Sequence, residues 1–312
     1  MKKINVIVPC YNEEKSIEKF YGIIKKMFSN ELKQYDYDII FVDDHSKDST
    51  RSIIREICKN DKKHVKAIFN VTNFWFSRNV FSSLLYSDWD VAFLVNWDLQ
   101  DPPQLLPKFI HEREAWYKVV VGEKTGWKES KIMNFCRNAY YYLIRLFSES
   151  PQLKHFTDFG LYDKSFIDIL RQVDDMQPYL KQIVPEYAEN YKTVLYEQDK
   201  SNRWKSNYNF YRNYDFAMEW ITSSTKKLMR ISIFLWSIMM VLSFLYWIFV
   251  FVKKIIYWDS YPVGIAWLTV WLFIIWSLLL FFIWVLWEYV LSINTKTLRR
   301  PRVVVWEKIN FD

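Results

Sequence analysis

The sequence has few cysteines, and they form no cluster. Its three, Cys10, Cys58 and Cys136, are odd in number and lack the spacing of metal ligands. They fall in segments that we predict to be strand or helix, so we expect buried thiols in a reducing compartment. A long apolar run at the amino terminus is also missing, which excludes a signal peptide there and predicts that the first domain stays in the cytoplasm.

Recognition motifs for nucleic acid are absent as well. The net charge is +7, but the basic residues cluster beside apolar segments, and no aromatic and basic motif of the usual RNA or DNA kinds accompanies them. A nucleic-acid binder would be supported by net charge alone. An anionic bilayer surface together with a phosphorylated substrate explains the charge better.

Charge is missing altogether from two long segments near the carboxyl end. They cover 231–252 and 263–287, in the region after residue 230 that holds most of the excess of aromatic residues. Each is long enough to cross a hydrocarbon core of roughly 30 Å, so we expect two transmembrane helices in a cytoplasmic (inner) membrane. Basic residues flank the pair on both outer sides, which predicts that both termini are cytoplasmic.

Four short apolar runs near the amino end alternate with helical patterns. The runs are Ile4–Val8, Ile39–Val42, Val65–Asn70 and Val91–Val95. This alternation predicts an α/β fold with a doubly wound, mainly parallel sheet. Polar residues follow three of the strands, at Tyr11, Asp44 and Asp98, and the carboxyl ends of such strands line a single cleft.

The segment 91–103 carries the strongest chemical signal. A buried strand ends in Asn96, Asp98, Gln100 and Asp101, before a pair of prolines that suits the first turn of a helix. Oxygen donors this close together suit Mg²⁺ or Mn²⁺ holding a diphosphate. An ordinary strand-to-helix turn with solvated acids is the alternative.

A helix predicted from about residue 130 to 146 has an apolar stripe and a cationic side that includes Arg137. If the stripe lies in the lipid headgroup layer, Arg137 and the preceding Lys124 would attract a lipid phosphate. The alternative is a solvated helix face over a protein core.

Three motifs carry a resemblance to a known family. They are Val8-Pro9-Cys10-Tyr11-Asn12-Glu13, Val42-Asp43-Asp44-His45-Ser46 and Asn96-Trp97-Asp98-Leu99-Gln100-Asp101-Pro102-Pro103. The chain resembles the family 2 glycosyltransferases of the GT-A (Rossmann-like) type, and within them the polyisoprenyl-phosphate enzymes similar to dolichyl-phosphate mannose synthase and the bactoprenol glucosyltransferases. It departs from the family's usual pattern where Asn96 replaces Asp and His45 replaces Gly.

The resemblance implies roles for individual residues. Asp158, within Thr157-Asp158-Phe159, would act as base or orient the nucleophile, and Lys124 corresponds to the family's acceptor-phosphate Arg. Asp98 is implied as a catalytic residue and, with Gln100 and Asn96, as a ligand of Mg²⁺ or Mn²⁺. The residues implied in binding the nucleotide sugar are Pro9, Tyr11, Asn12, Glu13, Asp43, Asp44, Asn96, Arg203, Lys205 and Ser206.

These features predict four parts of the chain. They are a catalytic domain over 1–207, an amphipathic interfacial helix over 208–228, the two transmembrane helices over 229–292 and a cytoplasmic tail over 293–312. Within the tail, Arg302 to Trp306 is expected to form a strand that returns to the catalytic domain.

We therefore expect an inverting, membrane-bound hexosyltransferase of cell-envelope glycan modification. It would move a hexose-type sugar from a UDP- or GDP-sugar to undecaprenyl or another polyprenyl phosphate on the cytoplasmic face. No nucleic-acid partner is expected, and a homo-oligomer and a flippase partner are left open. The alternatives are a glycosyltransferase with another membrane acceptor, and a membrane-anchored scaffold that binds sugar nucleotides with little turnover because Asn96 replaces an acid.

Overall fold

The fold is given by a computed structural model that describes residues 3–96, 101–125, 156–176, 178–197, 265–297 and 301–311, with isolated positions between 238 and 256. Its strands are β1 (Lys3–Cys10), β2 (Asp36–Asp43), β3 (Val65–Asn70), β4 (Val91–Leu94), β5 (Val119–Thr125), β6 (Phe156–Asp163), β7 (Tyr191–Glu197) and β8 (Val305–Ile309). Its helices are α1 (Ile17–Asn30), α2 (Thr50–Asn60), α3 (Phe76–Leu84), α4 (Leu106–Glu114), α5 (Lys164–Gln172), α6 (Leu180–Tyr187) and α7 (Ile265–Thr297). A short 3₁₀ turn, Pro103–Leu105, precedes α4.

The strands form one sheet in the order β7, β5, β6, β4, β1, β2, β3, β8. Strands β4, β1, β2 and β3 are parallel, as the alternation of strands and helices predicted. Beyond them β6 runs antiparallel to both β4 and β5, and β7 is parallel to β5. The sheet is therefore mixed, and the carboxyl ends of its four central parallel strands share one edge.

Helices cover both faces of the sheet, which explains the continuous apolar character of the central strands. On one face Val8 of β1 belongs to the same buried core as Phe20 of α1 and Phe109 of α4. On the other face its neighbour Ile7 belongs to a core with Phe81 of α3 and residues of α5 and α6. Successive residues of β1 thus serve opposite cores, and the predicted doubly wound arrangement is observed.

A strand from the carboxyl end closes one edge of the sheet. β8 pairs antiparallel with β3, and Arg55 Nη2 of α2 donates to Glu307 Oε2 of β8 at 2.6 Å. Sequence analysis predicted a returning strand at 302–306, and the observed strand lies three residues further along. The tail therefore contributes to the same sheet as the first four strands.

The cysteines within the described residues are buried, free thiols, as predicted. Burial raises the pKa of Cys58 to about 12, and it raises the pKa of Cys10 well above the usual thiol range. Neither thiol is therefore suited to act as a nucleophile near neutral pH. Cys136 lies outside the described residues.

The prediction of two transmembrane helices requires correction. Across the parts of the chain that the structure describes, none of the helices combines the length and the apolar character needed to cross a membrane. The first predicted span, 231–252, is described only at isolated positions, and most of the second falls in α7, where Val285 and Tyr289 are buried. An uncharged apolar run in the sequence was therefore not sufficient to predict a transmembrane helix. The predicted two-span, inner-membrane localisation was wrong for the same reason.

The chain divides into two compact units. One comprises 1–131, 150–206 and 299–312 and contains the sheet; the other comprises 132–149 and 207–298 and contains α7. The predicted boundary after residue 207 lies close to the end of a segment of the first unit. The four-part domain scheme itself stays a prediction.

One ion pair secures the start of α5. Asp163 Oδ1 accepts from the Ser165 N–H at 2.9 Å as the helix cap, and Oδ2 accepts from Arg113 Nε of α4 at 3.0 Å. Burial raises the pKa of Asp163, but the bonds from Arg113 and Ser165 outweigh burial and hold that pKa below its usual value. The ionised carboxylate therefore stabilises the folded state.

We expect Asp163→Ala to lower the free energy of unfolding by about 1–2 kcal/mol at neutral pH, because it removes a helix cap and an ion pair. The loss should be complete above the usual Asp pKa and should disappear as pH falls through the lowered pKa of the folded protein. Urea unfolding measured across pH tests this. Asp168→Ala, which removes an exposed pair with Arg171 on the same helix, is the control and should change stability little. Equal losses in the two variants would contradict the prediction.

Candidate active site

The loops that follow β1 and β2 are hydrogen-bonded to each other at the carboxyl edge of the sheet. The Asn12 N–H donates to Ser46 Oγ at 2.9 Å, and the Lys47 N–H donates to Asn12 Oδ1 at 2.8 Å. The Glu13 N–H donates to Thr50 Oγ1 at 2.6 Å. The two motifs that were predicted to bind the nucleotide therefore form one connected surface.

Both loops contain a residue with a left-handed backbone. Asn12 has φ of 55° and His45 has φ of 65°, a region that favours glycine because a side chain crowds the backbone. This explains why glycine is usual where His45 stands. The chain keeps the backbone conformation and adds an imidazole, whose Nδ1 is buried without a hydrogen-bond partner among the described residues.

Asp43 ends β2 and is fully buried. Its Oδ2 accepts from the Ser46 N–H at 3.1 Å and from Arg51 Nε at 2.9 Å. Burial raises the pKa of Asp43, while the bonds from Ser46 and the charge of Arg51 oppose that rise. In this geometry the carboxylate connects the loop to α2, and its contact with a nucleotide stays a prediction.

Asp44 is also buried, and it holds the loop that follows β3. Its Oδ1 accepts from Asn70 Nδ2 at 2.9 Å, and both of its oxygens accept from the Phe74 N–H at 3.0 and 3.1 Å. Burial raises the pKa of Asp44, against these hydrogen bonds. Of the residues predicted to bind the nucleotide in the first motif, Asn12 is exposed and Tyr11 half-buried, whereas Pro9 and Glu13 are buried.

A hydrogen-bonded chain joins β4 to β7. Asn96 follows β4, and its Nδ2 donates to Asp101 Oδ2 at 2.9 Å. Tyr196 Oη of β7 donates to the other oxygen of Asp101 in a short bond. Asp101 is only 2% exposed and Tyr196 only 6% exposed, so both bonds lie in the interior.

Asp158 of β6 is half-buried, and its charge interacts with that of Asp101. Its Oδ1 is buried and has no hydrogen-bond partner among the described residues. Burial raises the pKa of Asp158; the charges of Lys181 and Lys124 lower it, and the charge of Asp101 raises it. Asp158 and Lys124 thus lie close enough to Asp101, which bonds to Asn96, for their charges to interact, and the roles of these residues stay a prediction.

Several predicted site residues lie outside the described residues. They are the metal and catalytic residues Asp98 and Gln100, the basic residue Arg137, and the loop residues Arg203, Lys205 and Ser206. Within the ranges that are described, no group of three or more His, Cys, Asp or Glu residues could hold a metal ion. Asn96 fits a hard cation in one respect. Its bond to Asp101 uses the amide nitrogen, so the amide oxygen, the atom that could coordinate a cation, is not used in that bond.

The family model described as glycosyl transferase family 2 matches residues 5–160, which contain most of β1, all of β2 to β5, Asn96 and Asp158. The chain belongs to this family. As a family 2 glycosyltransferase, it catalyses transfer of a sugar, and the carboxyl edge described above is its candidate active site.

Relatives of this family 2 glycosyltransferase match it over almost its whole length. The bactoprenol glucosyl transferase of Shigella phage SfX is 26% identical over 305 residues, 97% of this chain and 98% of the relative. The prophage bactoprenol glucosyl transferase homolog of Escherichia coli (strain K12) is 24% identical over 304 residues, again 97% and 98% of the two chains. Among solved structures, S. aureus TarS 1–349 in complex with UDP-GlcNAc aligns with a TM-score of 0.45 and 16% identity over 72% of this chain and 66% of that chain.

Two site residues of the family 2 glycosyltransferase escaped the sequence analysis. Lys181, at the start of α6, has no motif around it that distinguishes it from other surface lysines. Tyr196 lies among alternating residues of an edge strand, and only the sheet order brings it to Asp101. The alternation of residues in β7 could have indicated Tyr196. Val194 and Tyr196 are buried on one face of the strand, while Leu195 and Glu197 are exposed on the other.

Proposed function

We propose that the protein transfers a hexose-type sugar from a UDP- or GDP-sugar to the phosphate of a polyprenyl lipid such as undecaprenyl phosphate. The names of its relatives support a lipid acceptor. The observation that carries the proposal is the buried Oδ1 of Asp158, which has no hydrogen-bond partner among the described residues and lies under the influence of two lysine charges. This combination of an acid with two cations suits an ionised phosphate that must be held and aimed.

In the proposed reaction an oxygen of the lipid phosphate attacks the anomeric carbon of the sugar. The bond from that carbon to the diphosphate of the nucleotide breaks, and the configuration inverts. Lys124 and Lys181 would bind the acceptor phosphate. That phosphate is largely ionised near neutral pH, so removal of a proton by Asp158 would contribute little to the rate. The proposed contribution of Asp158 is therefore orientation of the nucleophile. Arg203, Lys205 and Ser206 would bind the departing diphosphate.

Mg²⁺ or Mn²⁺ would neutralise diphosphate charge when bound. We propose Asp98, Gln100 and the amide oxygen of Asn96 as its ligands, because hard cations of this kind take oxygen donors and fill their remaining positions with phosphate and water. With Asn96 in place of an acid, the site has one negative charge fewer. We therefore expect sugar transfer to depend more strongly on added metal than it does in an enzyme with Asp at this position.

The test is transfer of radiolabel from a panel of sugar nucleotides to a polyprenyl phosphate supplied in detergent. We expect label to enter the organic phase with at least one UDP- or GDP-hexose, and to do so only when the lipid carries a phosphate. A polyprenol without phosphate is the matched control. Label transferred to a diacylglycerol instead would favour the other acceptor class, and nucleotide binding without any transfer would favour the scaffold.

A further inference from the structure

Strained backbone occurs on the loops of the candidate active site. Within the described ranges, the residues other than glycine that have a positive φ are Asn12, His45, Trp75, Trp116 and Asn310. The first three lie in the loops that follow β1, β2 and β3, at the carboxyl edge of the sheet. Asparagine and histidine enter this region more readily than a bulky residue does, so the two tryptophans are the more unusual cases.

The backbone of Trp75 has φ of 71° and ψ of 158°, a combination that is essentially confined to glycine. Hydrogen bonds hold this conformation on both sides. The Trp75 N–H donates to Asn73 Oδ1 at 2.9 Å, and the Trp75 carbonyl oxygen accepts from the Asn79 N–H at 3.0 Å at the start of α3. Because both bonds use backbone atoms of Trp75, a glycine at this position would make them without strain.

Packing in the core does not explain the indole of Trp75. The residue is 58% exposed, whereas Phe81 on the same helix, α3, is fully buried. Local backbone energy favours glycine at position 75, and most of the surface of Trp75 remains open to solvent. Strained residues that persist in this way are typical of sites that bind a ligand.

Asp44 connects Trp75 to the surface that was predicted to bind the nucleotide. Its Oδ1 accepts from the Phe74 N–H at 3.0 Å, and the Trp75 N–H also opposes the rise that burial causes in the pKa of Asp44. The loop of Asp44 is bonded in turn to the loop after β1, because the Asn12 N–H donates to Ser46 Oγ. The exposed indole therefore belongs to a surface that the loops after β1, β2 and β3 form together.

We propose that the indole of Trp75 binds the base of the nucleotide-sugar donor by stacking on its flat face. This inference rests on the proposed function, because it takes a UDP- or GDP-sugar as the donor. Stacking suits an exposed aromatic ring, since every base has a π face that such a ring can cover. Uracil and guanine both fit this description, so Trp75 strengthens binding of the donor and leaves the choice of base to hydrogen-bonding groups.

Titration of UDP and GDP onto variants of Trp75, with no acceptor present, tests the assignment. We expect Trp75→Gly to weaken binding of the preferred nucleotide about tenfold or more, the effect of removing an aromatic ring from beneath a base. Trp75→Phe keeps a ring and should retain most of the affinity. Trp75→Leu is apolar but not aromatic, and its affinity should fall as that of Trp75→Gly does. Trp75→Gly should melt no lower than the wild type, because glycine relieves the backbone strain.

Trp116→Gly is the matched control. Trp116 has φ of 88° and is 89% exposed, so it combines the same residue type with a left-handed backbone and an open indole. It lies in the turn before β5, and β5 runs in the same direction as β4, which places that turn at the opposite edge of the sheet. We expect this variant to bind both nucleotides as the wild type does.

Unchanged nucleotide affinity in Trp75→Gly, or Trp75→Leu binding as tightly as Trp75→Phe, would overturn the proposal. Weaker association of Trp75→Gly with vesicles of anionic phospholipid, at unchanged nucleotide affinity, would assign the indole to a lipid surface and would overturn it too. If the wild type binds UDP or GDP through Trp75 but transfers no sugar to any acceptor, the proposed function fails and the role of Trp75 in binding the base stands. Transfer of sugar by a protein whose affinity does not depend on Trp75 has the reverse meaning.

Discussion

Asp158→Asn should lower product formation by about 10²-fold or more while leaving the protein folded and no less stable at pH 8. The substitution keeps the size of the side chain but removes the negative charge that interacts with Lys124 and Lys181, the proposed ligands of the acceptor phosphate. It also removes a negative charge whose burial costs stability in the wild-type protein. Opposite signs for activity and stability are typical of a residue retained for function.

The stability effect of Asp158→Asn has a definite dependence on pH. Burial raises the pKa of Asp158, so the folded state disfavours the ionised form. The cost is absent below the usual Asp pKa, where the carboxyl is protonated in both states, and it is complete above the raised pKa of the folded protein. We therefore expect the variant to melt at a higher temperature at pH 8, with a difference that narrows as pH falls.

Asp38→Asn is the matched control. Asp38 is also buried and also has a pKa raised by burial, but it lies near the amino end of β2, away from the site edge, and pairs with Lys66 at 2.8 Å. Its replacement should leave transfer per folded molecule near that of the wild type. Full activity in Asp158→Asn, or an equal loss of activity in Asp38→Asn, would contradict a role for Asp158 in the reaction.

The sequence predicted the part of the fold that depends on local patterns. Each of β1 to β4 is a short apolar run with helical residues after it, and an uninterrupted apolar run is what a strand covered on both faces requires. The position of β6 could not be predicted in this way. It pairs antiparallel between β4 and β5, so its place depends on strand pairings distant in sequence.

The same distinction applies to the site. Asp44, Asn96 and Asp158 could be named as candidates because each follows or occupies a strand within a recognisable motif. Their bonding partners were not found, because the contact of Asp101 with Tyr196 spans 95 positions and the effect of Lys181 on Asp158 depends on how α6 packs. Motifs indicate which side chains are candidates for the site, while the order of the strands decides which partners they bond to.

Arg51→Ala should lower the free energy of unfolding by about 3–5 kcal/mol, because it leaves a buried carboxylate without its cation. Arg51 Nε donates to Asp43 Oδ2 at 2.9 Å, and its Nη2 donates to the Asn70 carbonyl oxygen at 3.0 Å. Asp43 is fully buried, so water cannot replace the lost partner. The affinity for UDP or GDP should fall with stability, since Asp43 also holds the Ser46 loop that meets Asn12.

Guanidinium unfolding and nucleotide titration measure the two effects. The destabilisation should be largest above the raised pKa of Asp43 and should shrink as pH falls, because a proton then neutralises the abandoned carboxylate. Arg55→Ala is the control on the same helix: it removes a partly exposed pair with Glu307, and exposed pairs contribute only about 0–1 kcal/mol. Asp43→Asn combined with Arg51→Met should recover much of the stability, because the neutral pair no longer carries a buried charge. It should not recover the nucleotide affinity, because the amide holds the Ser46 loop less firmly than the carboxylate does. If Arg51→Ala costs no more than Arg55→Ala, the buried pair is not what holds the two loops at the edge of the sheet.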